Sequence, residues 1–248
     1  MEIVVCASAD AAARTAAQRI GQWLQAAPDL VLGLATGRTM EGIYAELVRL
    51  HREEGLSFAR CRTFNLDEYA GLAPENPGSY RHYMNRHLFG LVDIGADNTH
   101  VPDGLATDAA AEGQRYEKRI RDAGGIDVQL LGIGENGHIG FNEPGSPFSS
   151  RTRAVELTSE TLQQNAGLFA DQPETMPVRA ITMGIATILE SRQALLVATG
   201  AVKATVLAAA VEGAMGPHIP ASALQQHPRC CVIADTEAAS LLRPGRIG

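Results

Sequence analysis

Short runs of apolar residues alternate along the chain with longer stretches in which apolar residues recur every three or four positions. The short runs are typical of strands that are buried on both faces, and the longer stretches have the spacing of amphipathic helices. Strands are predicted at residues 3–7, 30–35, 61–66, 126–134, 194–200 and 230–235. Helices are predicted around residues 13–24, 40–47, 79–91, 107–123, 159–168, 184–191 and 201–212.

The alternation of strands and helices predicts a fold class. Right-handed crossovers place such strands in a mostly parallel sheet with helices on both faces, so we predict an α/β, Rossmann-like fold. A chain of 248 residues, 45% of them hydrophobic, suits one sizeable core, and we predict a single domain over 1–248. The segment 145–175 is rich in Pro, Gly, Ser and Gln, which is typical of a surface connection or of a lid.

Composition and charge exclude several classes of partner. The net charge of -7 argues against nucleic acid or an anionic membrane surface as the main partner, although a few local cations can still bind a small anion. No run approaches the roughly 20 apolar residues of a membrane span, and no basic residues precede the first apolar run, so we expect a cytoplasmic protein. The cysteines lack C-x-x-C spacing, and buried thiols are expected.

Two cations follow predicted strands at positions that suit an anion. Thr36, Gly37, Arg38 and Thr39 join a strand to a helix, where free backbone N–H groups and the positive end of the helix meet. The turn predicts an anion site or, equally, an ordinary connection with Thr39 as the N-cap and an exposed Arg38. Lys203 is expected in the first turn of a later helix, where it opposes the helix dipole unless an anion binds.

An adjacent pair of carboxylates, Asp67 and Glu68, ends another predicted strand. Side chains of neighbouring residues in an extended segment point to opposite sides. At most one of the two is therefore expected to act as a base in a pocket, while the other is structural. A solvated acidic turn is the alternative.

The segment 126–145 is the most informative in the chain. A buried strand opens into the pattern G-x-G-x-x-G, followed by His138, Asn142, Glu143 and Pro144. A dinucleotide site requires a helix directly after these glycines, usually in the first strand-helix unit, and neither condition is met here. We predict instead that the glycines let the backbone approach a bound sugar.

His138 is the candidate acid or base of this segment. Asn136 precedes it and Glu143 follows across a turn, where a carboxylate can fix the imidazole tautomer and support its positive charge. The remaining histidines show no metal-ligand spacing, so a metal ion is not expected.

These residues resemble the glucosamine-6-phosphate deaminase family. The resemblance runs through LGLATGRTMEGIY, TFNLDEYAGL, GSYRHYMNRHLF, LLGIGENGHIGFNEPGSPFSSRTR, ITMGIATIL and IPASALQQH, and covers essentially the whole chain. The related 6-phosphogluconolactonases have Asp-Glu-Arg where this chain has Asp-Glu-Tyr at 67–69, and a different sequence after the glycine-histidine pair.

The resemblance implies a reaction that converts glucosamine 6-phosphate and water into fructose 6-phosphate and ammonia, without a cofactor. By similarity, His138 opens the sugar ring, with Asn136 and Glu143 orienting it, and Asp67 moves a proton from C2 to C1. The phosphate binds at 36–39 and Lys203. A galactosamine-6-phosphate deaminase, a sugar-phosphate isomerase, a lactonase and a non-catalytic sugar-phosphate sensor are the alternatives.

The sequence departs from the family at several positions. Some members have Asp where this chain has Asn136, and the usual turn is Thr-Gly-Gly-Thr-Pro, without Arg38. A phosphate-binding Arg of the family aligns with Gly167, so we expect Arg38 to replace that cation. Allosteric hexameric members have a longer C-terminus and a Lys at Val155, although Arg153 matches their effector-site Arg. A non-allosteric monomer or small homo-oligomer is therefore predicted.

Overall fold

The structure of the protein is a computed structural model that describes residues 1–159, 161–162, 169 and 176–243. Its strands are β1 (Glu2–Cys6), β2 (Val31–Leu34), β3 (Arg62–Asn65), β4 (Asp67–Tyr69), β5 (Thr99–His100), β6 (Val128–Leu131), β7 (Arg153–Glu156), β8 (Arg179–Thr182), β9 (Gln193–Ala198) and β10 (Cys230–Asp235). Its α-helices include α1 (Ala9–Ala26), α2 (Arg38–Glu54), α3 (Tyr80–His87), α4 (Ala109–Asp122), α5 (Ile185–Leu189) and α6 (Ala204–Glu212).

Helix α1 illustrates how the hydrophobic spacing becomes structure. The Ser8 hydroxyl accepts a hydrogen bond from the backbone N–H of Ala11, which satisfies one free donor at the helix start. Ala16, Ile20 and Leu24, four residues apart, are buried on one face. Burial of a side chain the size of Ile20 or Leu24 stabilises the fold by about 1.5–3 kcal/mol.

The central sheet contains seven strands in the order β1-β10-β9-β6-β2-β3-β5, and every neighbouring pair is parallel. The predicted α/β class with a mostly parallel sheet flanked by helices is confirmed. Strand β6 lies between β9 and β2, and β3 lies on the other side of β2. The segments that follow these four strands therefore emerge at the same edge of the sheet.

A second, antiparallel sheet in the order β4-β8-β7 was not predicted from the hydrophobic pattern, and neither was β5. The strands of this second sheet are three or four residues long and carry polar residues. They are strands because they pair with each other, and no apolar run in the sequence marks them. Strand β6 also ends at Leu131, before the predicted limit of 134. The predicted helix 159–168 lies largely outside the described residues.

The four cysteines are buried and free, as predicted. Within the described ranges, no helix is both long and apolar enough to cross a bilayer. The predicted cytoplasmic location and the single-domain boundary stay predictions. The first part of the expected lid, residues 145–157, makes backbone hydrogen bonds to other segments. For example, the Gly145 N–H donates to the Pro217 carbonyl.

Candidate active site

The predicted site residues follow strands that end at one edge of the central sheet. Residues 36–39 follow β2, the loop 132–143 follows β6, and Lys203 follows β9. Asp67 opens β4, directly after β3. Because the carboxyl ends of parallel strands meet at one edge, the tertiary structure brings together segments that are far apart in sequence.

Asp67 carries a buried carboxyl group. Its side chain is 5% exposed, and among the described residues no hydrogen-bond donor offsets that burial. Burial, and secondarily the negative charge of Glu68, raise the pKa of Asp67 to about 8. A carboxyl group with this pKa exchanges a proton readily near neutral pH, as a general base in an enzyme must.

Glu68, unlike Asp67, has hydrogen-bond donors at both carboxylate oxygens. Its Oε1 accepts hydrogen bonds from the backbone N–H groups of Tyr69 and Tyr80, at 2.8 and 2.9 Å. Its Oε2 accepts from the Ser79 hydroxyl and the Arg81 N–H, both at 2.9 Å. Burial raises the pKa of Glu68, and these four donors, three of them at the start of α3, oppose that rise. Glu68 therefore has a structural position, which leaves Asp67 as the available carboxylate of the pair.

The loop after β6 passes directly over Asp67. Gly140 has a φ of 56°, and a Cβ placed on it would lie 3.2 Å from Asp67 Oδ2 and 3.0 Å from Thr182 Oγ1. The next residue, Phe141, donates its backbone N–H to Thr182 Oγ1 at 3.1 Å. A residue without a side chain is thus required where the loop contacts the carboxylate.

His138 lies on the same loop, within a tight turn. Gly134 donates its N–H to the His138 carbonyl at 2.9 Å, and a Cβ on Gly134 would lie 2.2 Å from the imidazole ring. His138 Nδ1 is buried and has no hydrogen-bond partner among the described residues, but Glu143 Oε2 lies 3.6 Å from it. The turn, rather than the helix of a dinucleotide site, follows β6.

Glu143 is held at both carboxylate oxygens. Its Oε2 accepts from Asn136 Nδ2 at 2.8 Å, and its Oε1 accepts from the Thr161 hydroxyl at 2.5 Å. Burial alone would raise the pKa of Glu143, but His138, Thr161 and Asn136 together lower it to about 2. Asn136 Oδ1 also accepts the His138 backbone N–H at 3.2 Å, so Asn136 contacts both partners.

The two predicted cations lie within electrostatic reach of each other. Burial lowers the pKa of Lys203, the negative charge of Glu135 opposes that effect, and the positive charge of Arg38 adds a smaller lowering. Arg38 is exposed and begins α2, with Gly37 rather than Thr39 as the N-cap at a φ of 109°. Lys203 ends a 3-10 turn just before α6, not within its first turn as predicted. An anion bound between the two cations would relieve their repulsion.

Sequence reasoning missed an aromatic cluster next to Asp67. Tyr80 stacks on Phe141 at 5.9 Å between ring centroids, and its hydroxyl donates to the Tyr69 hydroxyl at 3.3 Å. The Thr36 side chain lies beside the Tyr80 hydroxyl. Thr161 and Thr182 were also missed, because their contacts with the loop join segments that no local pattern connects.

Gly167, the position of the expected missing cation, lies outside the described residues. Within the described part of the chain, no cluster of three or more His, Cys, Asp or Glu side chains is arranged to hold a metal ion.

Comparison with known proteins gives consistent matches over nearly the whole chain. The sequence model of the family described as Glucosamine-6-phosphate isomerases/6-phosphogluconolactonase matches residues 6–232. The glucosamine-6-phosphate deaminase of Bacillus velezensis is 50% identical over 239 residues, which is 96% of this chain and 99% of the relative. Glucosamine-6-phosphate deaminase 2 of Giardia intestinalis is 51% identical over 229 residues, covering 92% of this chain and 87% of that protein.

Solved structures give the same result. A structure described as a monomeric glucosamine-6-phosphate deaminase superposes with a TM-score of 0.94 at 46% identity, covering 97% of this chain and all of that one. The 6-phosphogluconolactonase of Trypanosoma brucei has a TM-score of 0.78 at 22% identity, with 98% of each chain covered. The second likeness shows a shared fold alone.

Proposed function

Because this chain belongs to the family of glucosamine-6-phosphate isomerases and 6-phosphogluconolactonases, we propose that it deaminates glucosamine 6-phosphate to fructose 6-phosphate and ammonia. The position of Asp67 carries this proposal. A buried carboxylate with a raised pKa lies against Gly140, in the loop that also holds His138 and Glu143. That combination supplies a base for a carbon-bound proton and an acid or base for the sugar ring.

Ring opening is assigned to His138. The imidazole takes the proton of the anomeric hydroxyl and returns a proton to the ring oxygen, which produces the open-chain aldehyde. Glu143 Oε2, 3.6 Å from Nδ1, favours the tautomer that carries its proton on that nitrogen. The other ring nitrogen is then available to the sugar. Asn136 supports the pair by donating to Glu143, and needs no charge of its own.

Proton transfer from C2 to C1 is assigned to Asp67. Its carboxylate abstracts the C2 proton, which becomes acidic next to the aldehyde, and delivers a proton to C1. As the C1 carbonyl oxygen gains a proton and the amine nitrogen loses one, the product of this shift is an imine at C2. Water then hydrolyses the imine to the ketose and ammonia. Burial of Asp67 serves this step because a poorly solvated carboxylate is a stronger base.

Phosphate binding is assigned to the 36–39 turn and Lys203. The backbone at Gly37 approaches the ligand, the hydroxyls of Thr36 and Thr39 donate to it, and Arg38 and Lys203 provide positive charge. The electrostatic coupling between Arg38 and Lys203 supports this assignment, since an anion bound at the turn would interact with both cations. Arg38 thereby replaces the family cation that is missing at Gly167.

The residue after the acidic pair and the degree of similarity favour this proposal over a lactonase. Lactonases have Asp-Glu-Arg where this chain has Asp67, Glu68 and Tyr69, so Asp67 alone does not separate the two reactions. The deaminase of Bacillus velezensis is 50% identical to this chain, whereas the lactonase of Trypanosoma brucei is 22% identical. A sensor that binds without turnover would need neither Asp67 nor the His138 and Glu143 pair.

Ammonia release from glucosamine 6-phosphate, with fructose 6-phosphate followed in parallel, tests the proposal. The wild type is expected to form both products in equal amounts, and Asp67→Asn to lose about 1000-fold in kcat. Asp122→Asn, an exposed carboxylate on α4, is the matched control and should keep full turnover. Turnover of galactosamine 6-phosphate alone, or of a lactone alone, would contradict the assigned substrate.

We also propose a non-allosteric enzyme that is a monomer or a small homo-oligomer. Val155 stands where the allosteric relatives have Lys, and the Arg153 guanidinium is occupied by Asn142 Oδ1 at 2.9 Å and Ser146 Oγ at 3.3 Å. The structural relative at 46% identity is described as monomeric. Light scattering after size exclusion and the shape of the saturation curve test this, and a sigmoidal curve would overturn it.

A further inference from the structure

We propose that Thr161 is a positioning residue that orients Glu143 towards His138, an inference that rests on the proposed function. Thr161 is 3% exposed, and its hydroxyl donates to Glu143 Oε1 at 2.5 Å. It lies 18 positions beyond Glu143, outside the loop that holds the other contacts of this pair.

The carboxylate of Glu143 needs such a contact. The terminal torsion of a glutamate side chain is broad and has no strong rotamer preference, so hydrogen-bond partners decide which oxygen faces the imidazole. Asn136 holds Oε2 and Thr161 holds Oε1. With both oxygens occupied, the carboxylate plane is fixed and Oε2 stays 3.6 Å from His138 Nδ1.

The Thr161 hydroxyl is itself directed by a neighbour. The Thr158 hydroxyl donates to Thr161 Oγ1 at 3.2 Å, and the Thr161 N–H donates to Thr158 Oγ1 at 3.3 Å. Because Thr161 Oγ1 accepts from Thr158, its own proton is directed to Glu143. The relay from Thr158 through Thr161 to Glu143 and His138 therefore runs in one direction.

A role in positioning makes a specific kinetic prediction. Thr161 touches neither Asp67 nor the 36–39 turn in the described contacts, so its hydroxyl should affect ring opening and leave phosphate binding unchanged. Thr161→Val removes the hydroxyl and retains the branched shape. We expect kcat to fall about tenfold, with KM within about twofold of the wild type, because the loss is confined to a step after binding. Thr161→Ser, which keeps the hydroxyl, should restore kcat to within about threefold of wild type.

The protein offers a matched control for the loss of a buried hydrogen bond. The Thr187 hydroxyl, also 3% exposed, donates to Glu117 Oε1 at 2.5 Å, and neither residue has a described hydrogen bond to Asp67, His138 or Glu143. Thr187→Val removes the same kind of contact. It should lower the melting temperature about as much as Thr161→Val while leaving kcat unchanged.

A double-mutant cycle with Glu143→Gln is the deciding experiment, with ammonia release as the assay. If Thr161 acts through Glu143, Thr161→Val should cause no further loss of kcat in the Glu143→Gln background. An equal loss in both backgrounds, a Thr161→Ser variant as impaired as Thr161→Val, or a Thr161→Val variant with wild-type kcat would overturn the inference. Absence of ammonia release by the wild type would instead overturn the proposed function, and this inference with it.

Discussion

Asp67 and Thr182 are direct partners in the antiparallel pairing of β4 and β8, and the loop after β6 lies across both side chains. Thr182 Oγ1 accepts the Phe141 N–H, and the Cα of Gly140 brings the backbone close to Asp67 Oδ2. Arg153 of β7 pairs with the same Thr182 from the other side and donates to Asn142. The small sheet is therefore a platform that sets the distance between the candidate base and the loop that carries His138.

Removal of the Thr182 hydroxyl should disturb that distance. In Thr182→Val the buried Phe141 N–H loses its acceptor, which costs about 1–3 kcal/mol and lets the loop shift relative to Asp67. We expect kcat to fall about tenfold, with a much smaller change in KM. Steady-state kinetics and thermal unfolding measure the two effects. An unchanged kcat in a less stable variant would show that the Thr182 contact stabilises the fold but does not position the loop for catalysis.

Asp67→Asn should stabilise the protein at the upper end of the pH range. The folded protein holds the Asp67 proton up to a pKa of about 8, whereas the unfolded chain releases it near 3.8, so stability from this group is complete below 3.8 and falls as the pH rises towards 8. Asparagine does not ionise. The melting temperature of the variant should exceed that of the wild type by about 5 °C at pH 8, and the gap should close towards pH 4. Asp122→Asn, on the exposed surface, should show no such trend.

Glu68→Gln should destabilise the protein, in contrast to Asp67→Asn, although the two carboxylates are adjacent in sequence. Four donors surround the Glu68 oxygens, and the amide of glutamine would place N–H groups against some of them. We expect the free energy of unfolding in urea to fall by about 2–4 kcal/mol. Glu75→Gln, at an exposed position, is the control and should leave the unfolding midpoint unchanged.

Arg38→Ala tests the assignment of the phosphate site. Loss of a bidentate cation should raise KM for the phosphorylated sugar about 10- to 100-fold while kcat changes little, because the contact is made before and during the reaction alike. The KM of Arg38→Lys should lie between those of the wild type and Arg38→Ala, since an ammonium group carries the charge but cannot form two parallel hydrogen bonds to the phosphate. Arg60→Ala is the matched control, because Arg60 is exposed before β3, at the opposite edge of the sheet. An unchanged KM in Arg38→Ala would remove Arg38 from the site.

The sequence by itself determined the fold class and the segments that carry the candidate site. Apolar runs such as 230–235 predict strands correctly because burial on both faces demands continuous apolar residues, and the spacing in α1 predicts a helix because one face must be buried. The placement of Asp67, His138 and Glu143 after strands followed from the rule that ligands bind at the carboxyl edge of a parallel sheet.

Only the tertiary structure decided which groups contact each other. The short strands β4, β7 and β8 have no hydrophobic signal, because their pairing is stabilised by neighbours that are distant in sequence. The different surroundings of Asp67 and Glu68 likewise depend on where α3 begins. Thr161 reaches Glu143 across 18 positions for the same reason. Local sequence patterns reflect burial and backbone geometry, whereas hydrogen-bond partners at a site are set by the packing of whole elements.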